Sequence, residues 1–319
     1  MDVLTCGGDL YEHDRFTADT AQFIVQTFAS VHPMPVLLVP GNHDWLAPAS
    51  IYATARWSPN VHIFTSDHLE AHEVAGVTIW GAAHRAPANT DDFLYDFHAD
   101  SQGLDIGLFH ASERSGLPLQ PAGKEPHAAF FAHEIKTAGL NHALLGHYHA
   151  PFDGADYTYP GNPEPLSFGE VGPRGAVLFE FMPGSAATRE RIRVAQTSMD
   201  EIEVDVSGSA SQQDVVDRVA AAAVGRAGLL RIALQGEVST SLSLDLAVLT
   251  QAAKGPEFVD FKTSGVRPAY DLDAIAAEKT VRGQFVRDVR DAELEGDQKQ
   301  KVLVTGLRAL AGRHDLEVG

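Results

Sequence analysis

Leu38-Val39-Pro40-Gly41-Asn42-His43-Asp44 joins the end of an apolar strand to a turn that carries an amide, an imidazole and a carboxylate side by side. Val36-Leu37-Leu38-Val39 is a short continuous apolar run, the pattern of a strand buried on both faces, and Pro40-Gly41 ends it. Polar side chains with ligand chemistry therefore emerge at the strand's carboxyl end. Three further strand-like runs finish in the same manner: Val3 to Gly8 at Asp9, Asp105 to Phe109 at His110, and Ala143 to Gly146 at His147 and His149. Strand ends converging on one edge of a sheet are where an open α/β architecture places its chemistry.

Composition narrows the class. The chain of 319 residues is long enough for a full core and for two domains, and its 44% hydrophobic content is that of a folded protein. A single cysteine, Cys6, excludes an internal disulfide framework and fits a reducing cytoplasm. The opening Met1-Asp2-Val3-Leu4 lacks a basic segment followed by a long apolar run, and no run approaches a membrane-spanning length. A cytoplasmic protein with no membrane association is expected. The net charge of -19 argues against a simple nucleic-acid binder, whose footprint is basic, but not against a nuclease. Residues 1–253 carry 31 acidic against 13 basic side chains, so the acidity belongs to the region with the candidate ligands.

Ala21, Ile24, Val25 and Phe28 lie at helical spacing within Thr17–Ser30, with Thr17 and Thr20 as capping residues. A short helix is expected over Ala49–Ala55, and strands over Val61–Phe64, Ala71–Ala75 and Val77–Trp80, the last two forming a hairpin at Gly76. Phe130–Ala138 reads as a helix, Pro151–Gly172 as irregular, and Ala176–Phe181 and Arg189–Ala195 as closing strands. This assigns residues 1–197 to a first domain. Residues 198–279 read as a small α+β domain, with strands at Glu203–Val206, Leu229–Leu234 and Phe258–Phe261 and helices at Gln212–Arg226 and Asp245–Ala253. Residues 280–319 form a helical tail whose apolar stripe is expected to pack on its own domain.

A binuclear hydrolase needs carboxylate, imidazole and amide donors on two divalent ions that activate water and clamp phosphate oxygens. Asp9 has two free carboxylate oxygens and can bridge two ions, while Asn42, His110, His147 and His149 supply neutral oxygen and nitrogen donors suited to manganese, iron or zinc. His43 sits beside a ligand and can orient a phosphate or protonate a departing oxygen. Taken singly, Asp9 reads as a turn residue and His147-Tyr148-His149 as a surface pair. Their joint occurrence in order, each closing an apolar run, is what points to a metal site.

With Gly8-Asp9, Gly41-Asn42-His43-Asp44, His110 and Gly146-His147-Tyr148-His149, the chain resembles the calcineurin-like metallophosphoesterases, and within them the SbcD-type DNA repair exonuclease subunits. The resemblance covers the first domain to about Glu180 and implies a four-layer metallophosphoesterase sandwich, an α/β fold, followed by a small α+β capping domain. It implies Asp9 as bridging carboxylate, Asn42, His110 and His147 as ligands of one ion, His149 of the other, and His43 as the transition-state residue. It further implies two manganese ions, DNA as substrate, and an SMC-like ATPase as partner, and it leaves a homodimer open.

Two departures qualify the resemblance. The family opens on a strand ending in Asp-x-His, about one strand-helix unit before Asp9, whereas only eight residues precede Asp9 here. The second ion would then keep only His149 and the shared Asp9, and a chain begun at an internal start is the expected explanation. Related archaeal and eukaryotic nucleases also carry a His three residues after this Asp, where this chain has Glu12 followed by His13. His13, with Arg114, Lys124 and His127 of the loop at 112–127, are candidate substrate-loop residues. Two rival functions remain open: a phosphodiesterase or phosphatase for nucleotides or other small phosphates, and a catalytically impaired scaffold that binds the ATPase.

Overall fold

Side-chain alternation along two buried strands sets the layers of the first unit. The computed structural model describes residues 1–88, 93–99, 103–115, 126–170, 172, 174–181, 187–240 and 242–311. They fall into two compact units, Met1–Pro165 with Pro173–Gln196, and Leu166–Gly172 with Thr197–Gly319. In the first unit, β1 (Leu4–Cys6), β2 (Val36–Leu38) and β3 (Val61–Ile63) pair in parallel in that order. A second sheet is built from β4 (Glu70–Val74), β5 (Val77–Ala82), β6 (Leu104–His110), β7 (His142–Gly146), β8 (Phe152–Asp153) and β9 (Tyr157–Tyr159). Its strand order is β4-β5-β6-β7-β9-β8, parallel from β5 to β9 with an antiparallel strand at each edge.

On β2, Val36 and Leu38 turn toward helices α1 (Ala18–Ala29) and α2 (Ile51–Thr54), joining Ile24, Ile51 and Tyr52. Leu37 and the following Val39 turn the other way, onto Ile79, Ile106 and Leu108 of the larger sheet. On β6 the alternation continues: Phe109 joins Phe130, Leu140 and Ile135, the last on α3 (Ala132–Thr137). The order helix, sheet, sheet, helix is thus written into period-2 alternation, and gives the four-layer sandwich expected from the sequence. Leu37 is fully buried between the sheets, and Leu37→Ala there would cost about 2–5 kcal/mol through lost burial and the cavity left behind.

Local chemistry supports each element. Thr17 caps α1 through a reciprocal box with Thr20. The β4–β5 hairpin turns at Ala75 and Gly76, with φ of 52° and 79°, the conformation of a two-residue turn that matches strand twist. The stretch 151–172 departs from the irregular structure expected, because Tyr157, Thr158 and Tyr159 form a buried strand beside β7. A three-residue strand offers too little periodicity to be read from sequence. Two further strands, β10 (Gly175–Glu180) and β11 (Thr188–Arg193), close the unit as an antiparallel pair.

The second unit holds β12 (Met199–Asp205), β13 (Leu229–Ser239) and β14 (Phe258–Ala269), all parallel, linked by α4 (Gln212–Ala223) and α5 (Leu246–Ala252). Val215, Val219 and Leu249 of the helices cover Val204, Leu230, Ile232 and Leu234 of the sheet. Beyond them, α6 (Leu272–Ala277), α7 (Val281–Asp291) and α8 (Gly296–Leu310) share a core of Ile275, Val286, Val289, Leu303 and Leu307, so the tail's apolar stripe is covered by its own neighbours. No helix of the described residues is long and apolar enough to cross a membrane.

Candidate metal centre

Strands from both sheets of the first unit deliver the candidate ligands, rather than one edge of a single sheet. Asp9 and Asn42 follow β1 and β2, while His110 ends β6 and His147 follows β7. Glycines let these backbones approach: a Cβ on Gly7 would lie 2.6 Å from Gly146 N, and one on Gly8 2.7 Å from Gly41 N. Asp9 and His147 themselves adopt left-handed backbone angles, φ 59° and 106°. Such strain in non-glycine residues persists only where surrounding structure imposes it, and it concentrates at functional sites.

Four donor groups meet at this point. His110 Nε2 lies 3.2 Å from Asp9 Oδ2, 2.9 Å from Asn42 Oδ1 and 3.1 Å from His147 Nδ1. His147 Nδ1 is 3.2 Å from Asn42 Oδ1. His110 Nδ1 donates to the Gly7 carbonyl at 2.7 Å, which orients the ring and directs Nε2 into the cluster. Ligand atoms of Asp9, His110 and His147 all fall within 4.8 Å of one another.

The electrostatics of the cluster favour positive charge at its centre. Burial alone would raise the Asp9 carboxyl, yet His110 and the His43 backbone N–H hold it well below the carboxylate range. Burial would likewise discharge His110, but the Asp9 carboxylate pushes its pKa up. Burial and the neighbouring His110 charge drive His147 down to about 2, leaving it the neutral imidazole that binds metals. A carboxylate, an amide oxygen and two imidazole nitrogens gathered at about 3 Å fit a divalent cation, which would take the place of the proton that the raised His110 pKa keeps at the centre.

Buried groups around the cluster hold its shape. Asp44, fully buried, accepts from Asp9 N at 3.1 Å and Gly41 N at 2.6 Å on one oxygen, and from Leu10 N at 2.7 Å and Tyr52 Oη at 2.6 Å on the other. It therefore ties the loop after β1 to the loop after β2. His84, at the end of the β5 chain, donates from Nε2 to the His110 carbonyl at 2.7 Å, and burial and the His110 charge push it down to about 4. His43 Nδ1 is 3.1 Å from Glu12 Oε2, so the residue standing where related nucleases have His fixes the ring of the candidate catalytic residue.

The remaining predicted residues are spread around this core. His149 is exposed and outside the group of Asp9, His110 and His147, and its carbonyl accepts from Asn162 N at 3.2 Å. His127 presents its ring edge-on to His147 at 5.6 Å and to His84 at 6.3 Å. His13 stacks on Trp45 beside His43, while Arg114 is exposed with its guanidinium 5.1 Å above the Phe131 ring. Lys124 lies outside the described residues. Sequence reading passed over Asp44, Glu12, Trp45 and His84 as site residues. The signal for His84 was present: Val77–Ala83 is one more near-apolar run that ends on a ligand-type side chain.

The candidate ligands lie in a stretch of the chain that is similar to known proteins. Residues 2–151 match the calcineurin-like phosphoesterase family. The first unit carries a calcineurin-like phosphoesterase domain. Among curated proteins, the chain is similar to the DNA double-strand break repair protein Mre11 of Methanopyrus kandleri, 26% identical over 252 residues, 69% of this chain and 53% of that protein. The protein of the same name from Aeropyrum pernix is 34% identical over 85 residues, 25% of this chain and 21% of that protein. The chain that carries the phosphoesterase domain thus spans about half the length of the first of these relatives.

Proposed function

We propose that the chain is a metal-dependent phosphodiesterase acting on DNA in repair, with manganese as its working ion. The observation that carries the reading is the convergence of Asp9, Asn42, His110 and His147 on one point. Asn42, His110 and His147 would hold one ion, Asp9 would bridge, and His149 would serve a second position that has fewer donors assigned to it. Bound by these donors, divalent cations supply the Lewis acidity for in-line hydrolysis of a phosphate ester.

The chain's own contribution is placement. Asp9 and His147 are held by strained backbone, and the Asp44 clamp fixes Asp9 and the Gly41 that precedes Asn42, so the donors are placed before anything binds. Glu12 occupies Nδ1 of His43, which leaves Nε2 as the ring nitrogen that meets the substrate and assists the departing oxygen. An SMC-like ATPase is the proposed partner, a homodimer the assembly to test, and the cytoplasm the proposed location; the partner rests on the family resemblance, and the names of the repair relatives support DNA as the substrate.

The acidity of the site region supports a second reading, a phosphodiesterase for nucleotides or other small phosphates. Manganese-dependent turnover of linear DNA and of bis(p-nitrophenyl) phosphate, with calorimetric titration of manganese, separates the readings. Cleavage of both that is lost in His43→Ala supports the DNA enzyme. Turnover of the small diester without DNA cleavage removes DNA from the proposal, and manganese binding without turnover of either leaves a scaffold.

A further inference from the structure

Trp45 and His13 lie nearly face to face beside His43, ring centroids 4.1 Å apart and planes at 29°. The His13 N–H donates to the His43 carbonyl at 2.8 Å, so the pair is fixed to the candidate catalytic residue. Together with Pro87 and the side chains of Glu12, Asp14 and Asn42, they line a cavity of about 270 Å³. Trp45 is only half-buried and joins none of the apolar clusters that hold the first unit together. His13 Nδ1 is buried with no hydrogen-bond partner among the described residues. A large aromatic side chain left out of the core, stacked on a ring with an unanswered polar atom, is arranged for something that is not part of the fold.

The charge of the cavity states what that is. Glu12 and Asp14 line it and, among the described residues, no lysine or arginine does, so a phosphate group is repelled and goes instead to the metal donors. A flat, uncharged group that offers hydrogen-bond donors is accepted. We propose that this cavity holds the nucleobase of the nucleotide next to the scissile phosphate, stacked against the Trp45–His13 pair. The proposal rests on the phosphodiesterase reading and names the part of the substrate that the chain recognises. The volume lies just below the roughly 300–1,000 Å³ of pockets for drug-sized ligands, which suits one nucleoside and not a length of strand. Glu12 is engaged by His43, so Asp14, exposed at the cavity wall, is the carboxylate that accepts from an exocyclic amino group. Guanine, adenine and cytosine carry that group; thymine and uracil do not.

The test uses the full chain without metal and the fluorescent probe 2-aminopurine riboside, which carries no phosphate and loses emission on stacking. The wild-type protein is expected to quench the probe, and guanosine to displace it at concentrations at least about tenfold below those needed for uridine or free ribose. Trp45→Ala should weaken probe binding about tenfold or more, and Trp45→Phe should restore it to within about threefold. Asp14→Ala, which removes the acceptor, should erase the preference for guanosine over uridine while leaving quenching in place. No quenching by the wild type overturns the proposal, and so does ribose competing as well as guanosine; neither outcome depends on how a variant folds. Turnover of methyl p-nitrophenyl phosphate by the manganese-loaded chain reports separately on the phosphodiesterase reading, because that substrate has no base.

Discussion

Asp44 binds no metal in any of the roles argued above, yet its removal should be the most damaging single change near the centre. Asp44→Ala leaves the N–H groups of Asp9, Leu10 and Gly41 and the hydroxyl of Tyr52 without an acceptor, all in or beside a buried site. At about 1–3 kcal/mol for each buried group left unmade, less what local rearrangement recovers, the expected loss is about 4–5 kcal/mol. Asp44→Asn should cost less. Its amide nitrogen can turn toward Tyr52, whose hydroxyl can rotate to accept, so the Leu10 N–H and the Tyr52 O–H lose their acceptor while Asp9 and Gly41 keep theirs, at about 2–3 kcal/mol in all. Burial and the Asp9 charge also raise the Asp44 pKa, so replacing the charge by a neutral amide relieves part of the loss. Urea unfolding followed by tryptophan fluorescence is the assay, because Trp45, Trp57 and Trp80 are the chain's only tryptophans and all lie in the first unit. Equal destabilisation by the two substitutions, or less than about 1 kcal/mol for Asp44→Ala, would refute the clamp.

The same geometry sets further outcomes. His147→Ala should weaken manganese binding in calorimetry by more than about 100-fold, since loss of even an outer-shell partner costs about 10–100-fold. His43→Ala should keep the metal but lower kcat on a small phosphodiester by about 10²–10⁴-fold. Gly146→Ala would drive a methyl group into the Gly7 carbonyl, and unfolding in urea should show a loss of about 3 kcal/mol or more. His142, buried beside Thr158, has its pKa lowered to about 4 by burial and Arg189, against 6.5 when unfolded. Its neutral form is at no disadvantage above pH 6.5, and the first unit should lose about 1–2 kcal/mol as pH falls from 6.5 to 4. His142→Gln should flatten that slope.

How much of this was legible depended on where the information sits. Apolar runs that stop at Asp9, Asn42, His110 and His147 are local features, and a buried strand followed by a ligand-type side chain can be read without knowing its neighbours. That the ends belong to two facing sheets could not be read, because strand pairing is set by contacts distant in sequence. Asp44 was visible in the motif but silent in role: its four partners come from the loop after β1, from Gly41 and from Tyr52. Glu12 looked like a departure from relatives until its contact with His43 gave it a task. Tyr157–Tyr159 escaped notice because a three-residue strand is recognised by the partner it pairs with, not by its own pattern.

The close approach of Gly7 to Gly146, and of Gly8 and Gly41 to the His110 ring, has a mechanical meaning. It makes the candidate centre a seam between two sheets, stitched from each side by residues of the other. A cation seated there acts as a rivet: it cannot stay bound if the sheets part, and the sheets cannot part without releasing it. Loading the centre should therefore stiffen the entire sandwich, by about 2.7 kcal/mol when metal stands at 100 times its dissociation constant. Amides far from the ligands, in the interior of β6 and β2, should then exchange more slowly whenever the cation is present.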